Sequence, residues 1–207
     1  MARRQNPSTR PSLLEAAFSV IRTKGYTATT VDDVCAKADL SKGAFFHHFS
    51  SKEEMAVAAA DHWSEVTGAV FEAAPYHRAA DPLDRLLAYI EFRKHLIAGE
   101  LPDFTCFVGT MAQEVYETSM PIRQACWNSI SGHADTLITD IKAAMAEHRE
   151  IGSFTAESLA LHIQAAIQGS FILAKASGDP KQAVESLGHL YRYIELLFGR
   201  PRAGQKN

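Results

Sequence analysis

Apolar residues recur along this chain at intervals of three and four. Leu13, Leu14, Ala17, Phe18 and Ile21 fall on one face of a helix with 3.6 residues per turn. Ser12 and Glu15 have capping-box spacing at its start, and Gly25 is a natural stop, so a helix is expected over 12–24. Thr30 caps a second helix over 30–38, with Val31 and Val34 inward. A short third helix covers 41–47. Ser51 and Glu54 repeat the capping-box spacing and open a long helix over 51–74, which Pro75 ends. Further helices follow over 81–98, 103–118, 121–149, 155–177 and 180–198. Their boundaries are marked by Asp81-Pro82, Gly99, Pro121, Ile151-Gly152, Thr155, Gly178 and Asp179-Pro180. No stretch alternates with period two, as a half-buried strand would. The pattern is therefore all-α, with about nine helices. Residues 1–11 read as a flexible basic arm and 12–52 as a small three-helix domain. Residues 53–199 read as a larger helical body, and 200–207 as a tail.

Charge separates the two parts. Residues 1–52 carry eight Lys/Arg against four acids, while the chain as a whole has 21 against 24. A basic head on an acidic body suggests that only the head meets a polyanion. The N-terminus lacks the apolar core of a secretory signal, and no apolar run approaches the ~20 residues of a membrane span. A cytoplasmic protein without a membrane partner is expected. Cys35, Cys106 and Cys126 lie far apart and form no CxxC pair, which suits buried thiols in a reducing compartment.

The stretch 30–52, TVDDVCAKADLSKGAFFHHFSSK, places two short helices around a tight turn at Ala38-Asp39-Leu40. This is helix-turn-helix spacing. The first helix can cross a nucleic-acid backbone, with its amides and the Thr30 hydroxyl toward a phosphate. The second must enter a groove about 12 Å wide, and Ser41, Gly43 and Ala44 are small enough to allow it. Lys42 and His47 reach phosphates or base edges, while Phe45 and Phe49 face inward. His47 and His48 are adjacent, so their side chains diverge by about 100° and make a poor metal pair. No metal site is expected.

On these residues the segment resembles the DNA-binding domain of the TetR/AcrR family. The resemblance is carried by Thr29-Thr30, Val34, Ala38-Asp39-Leu40, Ser41-Lys42-Gly43, Phe45-Phe46, Phe49 and Lys52-Glu53. It covers about residues 10–55 and implies DNA contacts from Thr29, Thr30, Ser41, Lys42, Gly43, Ala44, Phe46, His47 and Lys52. Two positions depart from the family pattern. Asp39 stands where a turn glycine is usual, and aspartate tolerates the left-handed conformation better than most residues. Phe46 stands where a tyrosine hydroxyl would touch a phosphate, which leaves His47 and His48 as replacements within reach.

The resemblance also implies a C-terminal ligand-binding and dimerisation domain. Val184, Leu187, Tyr191, Ile194 and Phe198 form a heptad-like stripe, and Leu159, Ile163 and Ile167 a second one. They suggest a homodimer interface of two helices per subunit, suited to reading two half-sites of a double-stranded operator. A pocket for an unknown small-molecule effector would draw on the aromatic and polar residues of the middle helices. The candidates are Trp63, Phe71, Tyr89, Phe92, His95, Phe104, Phe107, Met111, Trp127, Gln164, Gln168 and Phe171. Gln164 and Gln168 lie one turn apart on a largely apolar helix. No GxSxG, HExxH, P-loop or GxGxxG occurs, so neither an enzyme nor a cofactor is expected. The expected function is transcriptional regulation, repression by default, with ligand release from a pseudo-palindromic operator. A redox switch at Cys106 and Cys126, and a helical adaptor that no longer binds DNA, stand as alternatives.

Overall fold

The first helix starts earlier than its sequence signals suggest. In the computed structural model, which describes residues 9–149 and 151–200, α1 spans Thr9–Lys24. Ser12 therefore lies within the helix instead of capping it. Pro11 sits in the first turn, where its missing N–H has no intrahelical acceptor to lose. Of the expected arm and tail, residues 1–8 and 201–207 lie outside the described residues. α1 buries Leu13, Leu14, Ala17, Phe18 and Ile21. It ends at Gly25, whose φ of +86° favours glycine. The Glu114 carboxylate lies where a Cβ would project, so a larger residue there would displace it. That carboxylate accepts the amides of Tyr26 and Thr27 at 3.1 and 2.8 Å.

α2 spans Val31–Ala38 and α3 spans Lys42–His48. Between them Asp39 takes the left-handed conformation (φ 54°, ψ 45°), so the turn forms without glycine. α4 spans Lys52–Glu72. Only half of the expected capping box opens it. Ser51 Oγ accepts the Glu54 amide at 3.0 Å, but the Glu54 carboxylate turns to the Ser50 amide and hydroxyl. A 3-10 turn at Pro75–Arg78 precedes α5 (Pro82–His95).

The single helix expected over 103–118 is broken. α6 is one turn, Leu101–Phe104, and α7 spans Phe107–Val115. Cys106 is extended and caps α7, its sulfur accepting the Gly109 amide at 3.4 Å. This break makes ten α-helices among the described residues where about nine were expected. α8 spans Met120–Glu147, α9 Ala156–Ser177 and α10 Lys181–Leu197. Thr155 and Ser158 form a capping box on α9. Pro180 precedes α10 instead of opening it, while the Asp179 carboxylate accepts the Lys181 amide at 2.9 Å.

Two compact units result. The first gathers the chain up to Ala69 with Thr105–Ile130, and the second gathers Val70–Phe104 with the chain from Ser131 onward. This partition cuts across the linear division at residue 52. The reason is α7: Phe107, Met111 and Val115 are buried in the core that α1 begins. Full burial of each such side chain stabilises by about 1.5–3 kcal/mol. In the second unit α10 packs on α9 and α5. An Arg85–Asp140 pair at 2.8 Å and a His148–Asp81 contact at 2.7 Å tie its helices.

Candidate functional site

The short helix α3 has two sharply different faces. Phe45 and Phe49 are buried, with ring centroids 5.5 Å apart, and hold the helix in place. Ser41, Lys42, Gly43, Phe46 and His47 are exposed, and Ala44 is half-buried. Phe46 and His47 follow Gly43 by three and four residues, so each neighbours it on the exposed side of the helix. Phe46 is 55% exposed, an unusual place for a phenylalanine. Ser41 Oγ accepts the Ala44 amide at 3.2 Å as N-cap, which leaves its hydroxyl proton able to donate. Lys42 lies 2.9 Å from Asp32, with both side chains largely exposed, so water competes strongly for this pair.

Three other expected contact residues, Thr29, Thr30 and Lys52, have partners within the chain. Thr29 is buried and donates to the Gly25 carbonyl at 2.6 Å. Lys52 donates to the carbonyls of Tyr26 and Thr29 at 3.1 and 2.9 Å and stacks over the Tyr26 ring. Burial holds its ammonium below the usual lysine range. Thr30 donates its hydroxyl proton to Asp33 at 2.6 Å and accepts the Asp33 amide at 3.1 Å. Lys24, then Thr30, hold the Asp33 carboxyl well below the usual carboxylate range. The N-terminus of α2 thus already carries carboxylates where a phosphate was expected. Thr29, Thr30 and Lys52 hold the connection from α1 into the start of α2. The capping-box spacing Thr30/Asp33 was visible in the sequence, but the partners of Lys52 and Thr29 were not.

The second unit holds a part-buried polar cluster. Gln164 is buried; its amide nitrogen donates to the Tyr89 hydroxyl at 3.1 Å, and its carbonyl accepts from Arg93 at 3.3 Å. The Tyr89 hydroxyl in turn lies 3.0 Å from His133 Nε2. Burial, then the Arg93 charge, push His133 down to about 3, so the ring is neutral near pH 7. Tyr89 can therefore donate to Nε2, which places the His133 proton on Nδ1. Phe71 lies against Tyr89, Phe92 and His133, with centroids 5.8, 5.6 and 4.4 Å away. The Arg93 guanidinium stacks 4.6 Å from the Phe71 centroid. Arg93 and His133 are additions to the expected list. Arg93 had a sequence signal: it continues the stripe Leu86-Tyr89/Ile90 by one more turn.

Comparison with known proteins agrees with this geometry. Residues 13–59 match the family model for bacterial regulatory proteins of the tetR family. Residues 82–190 match the tetracyclin repressor-like C-terminal domain, more than half of the chain. The chain belongs to the TetR family. It is a TetR-family DNA-binding transcriptional regulator. It is 26% identical over 176 residues to an HTH-type transcriptional regulator in the lacX 3′ region of Lactococcus lactis subsp. lactis, covering 83% of this chain and 86% of that protein. A 48-residue stretch is 46% identical to the HTH-type transcriptional repressor KstR2 of Mycobacterium tuberculosis, 23% of this chain and 24% of that one. The fold matches a TetR-family transcriptional regulator from Agrobacterium tumefaciens with a TM-score of 0.79 at 22% identity, over 91% and 99% of the two chains.

Within this TetR fold the expected ligand residues do not gather in one place. Trp63, Phe107 and Met111 belong to the core of the first unit, where Phe18 lies 5.2 and 5.0 Å from the Trp63 and Phe107 rings. Trp127 is 52% exposed. His95 is exposed, with Nδ1 2.9 Å from the Glu91 carbonyl. Phe171 packs on Phe104, and Gln168 is half-buried. Phe71, Tyr89, Phe92 and Gln164 join the cluster around Arg93.

The expected dimer stripe lies largely on faces that the chain itself covers. Leu159, Ile163, Ile167, Leu187, Ile194 and Phe198 are all buried within the chain's own second unit, and Val184 and Tyr191 are half-buried. A 3.6-residue pattern identifies the buried face but not what buries it. The outward faces of α9 and α10 instead expose Leu161, Ile172, Leu173, Tyr193 and Leu196. The cysteines give the redox alternative little support. Burial pushes Cys126 up to about 12, which leaves almost no thiolate, and Cys106 serves as a helix cap. No helix among the described residues is long and apolar enough to cross a membrane.

Proposed function

We propose that this regulator is a homodimeric repressor of the cytoplasm. It binds a pseudo-palindromic duplex operator and leaves it when a small effector binds in the second unit. The observation that carries this reading is the exposed face of α3 over the locked Phe45 and Phe49. Ser41, Lys42, Gly43, Ala44, Phe46 and His47 are the residues that meet DNA. One helix of this length reads too few base pairs for a specific site, so two copies supply two half-sites about one helical turn apart. The apolar residues exposed on α9 and α10 make the dimer surface. Repression is supported by relatives named as repressors. The effector acts only through unequal affinity for the operator-competent and released states. α4 is the covalent route between them, since it begins just after α3 and runs on into the second unit.

Selection from a random duplex pool tests the reading. The enriched sequence should be an inverted repeat with half-site centres about 10 base pairs apart. Lys42→Ala should weaken binding to that site and flatten its salt dependence by about one unit of slope. Recovery of no enriched sequence, or an unchanged slope in the variant, would count against the proposal.

A further inference from the structure

Arg93 is a cation inside the second unit without a counter-anion. Its Nε is buried with no hydrogen-bond partner, and no ion pair found among the described residues includes Arg93. Its contacts are the Gln164 carbonyl and the faces of Phe71 and Tyr89. Two acids of its own and a neighbouring helix are engaged elsewhere: Glu91 pairs with Lys94 and Asp140 with Arg85, both at 2.8 Å. The other polar neighbours are neutral. Burial pushes the Tyr76 phenol up to about 12 and holds His133 uncharged. Guanidinium does not deprotonate in proteins, so this site retains one uncompensated positive charge. Arg93 is half-buried, and a guanidinium whose Nε is shut off from water and left unpaired is costly unless something pairs with it.

We infer that Arg93 anchors a monoanionic effector, a small carboxylate with an apolar body. The inference rests on the reading that the second unit holds the effector, and it adds that ligand's chemical class. One surplus charge selects one negative charge, which favours a carboxylate over a phosphate dianion. The planar guanidinium matches a carboxylate with parallel N–H donors. Phe71, Tyr76 and Phe92 supply aromatic surface for the apolar part, with the Phe92 ring 5.6 Å from Phe71 and 5.8 Å from Tyr76. Tyr89 and Gln164 are positioning residues, since they hold the guanidinium through the hydrogen-bonded chain that ends at His133.

Isothermal titration of the full-length protein tests this with matched pairs: benzoate and benzamide, octanoate and octanamide, with inorganic phosphate as a charge control. At least one acid should bind at least about tenfold tighter than its amide, as a charge-assisted pair predicts. Arg93→Met should abolish that preference, and Arg93→Lys should keep part of it. If Arg93→Met fails to fold, Arg93→Lys and the wild-type acid-to-amide ratio still decide. Equal binding of acid and amide overturns the inference. So does phosphate binding as tight as the acids', a preference that survives Arg93→Met, or no binding by either acid. Operator binding, measured on the same preparations, separates the two readings. A protein that binds its operator but not the acids loses the carboxylate and keeps the regulator. One that binds the acids but no duplex does the reverse.

Discussion

At the scale of single residues, two lysines near α3 have different duties. Lys42 is exposed beside Asp32, whereas Lys52 is part-buried on two backbone carbonyls. Lys52→Ala should therefore lower stability by about 1–2 kcal/mol, since hydrogen bonds from a charged donor are lost. The salt slope of operator binding should stay as in the wild type. Chemical denaturation and a salt titration read the two effects separately; a slope reduced by one would return Lys52 to the DNA contacts. His133 makes a pH prediction. Folded, it gains a proton only near pH 3, against 6.5 for an ordinary histidine. Between these values the unfolded chain binds more protons. The stability from a neutral His133 is therefore full above about 6.5 and is lost as pH falls through that window. The slope is at most about 1.4 kcal/mol per pH unit. Urea midpoints from pH 7 to pH 4 should fall less steeply in His133→Gln than in the wild type; identical slopes would mean that His133 does not titrate as described.

At the scale of elements, caps and turns explain most boundaries. Thr30 and Asp33 close both halves of a capping box on α2. Thr30→Ala should lower the unfolding free energy by about 1 kcal/mol, whereas Thr30→Ser should hold it nearly unchanged. If instead Thr30→Ala kept its stability and lost operator affinity, Thr30 would be a phosphate contact after all. Helix existence was legible from apolar spacing, and the starts of α2, α3 and α9 from Thr30, Ser41 and Thr155. The break at Cys106 was not legible. Cysteine is a poor cap by propensity, and the extended backbone there comes with the burial of Thr105 and Phe107 on either side.

At the scale of the whole molecule, burial reassigns the apolar stripes. The regular stripe of α10 is consumed inside the chain, and the less regular set Leu161, Ile172, Leu173, Tyr193 and Leu196 is left outside. The double substitution Leu173→Glu, Leu196→Glu should convert a dimer into a monomer in sedimentation velocity. It should weaken operator binding by at least about a hundredfold, because one half-site is lost. Since both residues are exposed in the single chain, the monomer should stay folded. A variant that still sediments as a dimer would place the interface elsewhere.

The all-helical class, the helix-turn-helix and its inward aromatics follow from the sequence alone. They depend on local periodicity, capping and turn chemistry, which act over a few residues. The tertiary structure decided what those residues meet. It seated Lys52 on the Tyr26 and Thr29 carbonyls, placed Phe107 and Met111 in the core with α1, and brought Arg93 to Gln164 and Tyr89 to His133. These pairings join residues far apart in sequence, and one apolar stripe looks the same whether its own chain or a second copy covers it. The recognition helix was therefore readable from a segment, while the partners of the remaining helices required the folded chain.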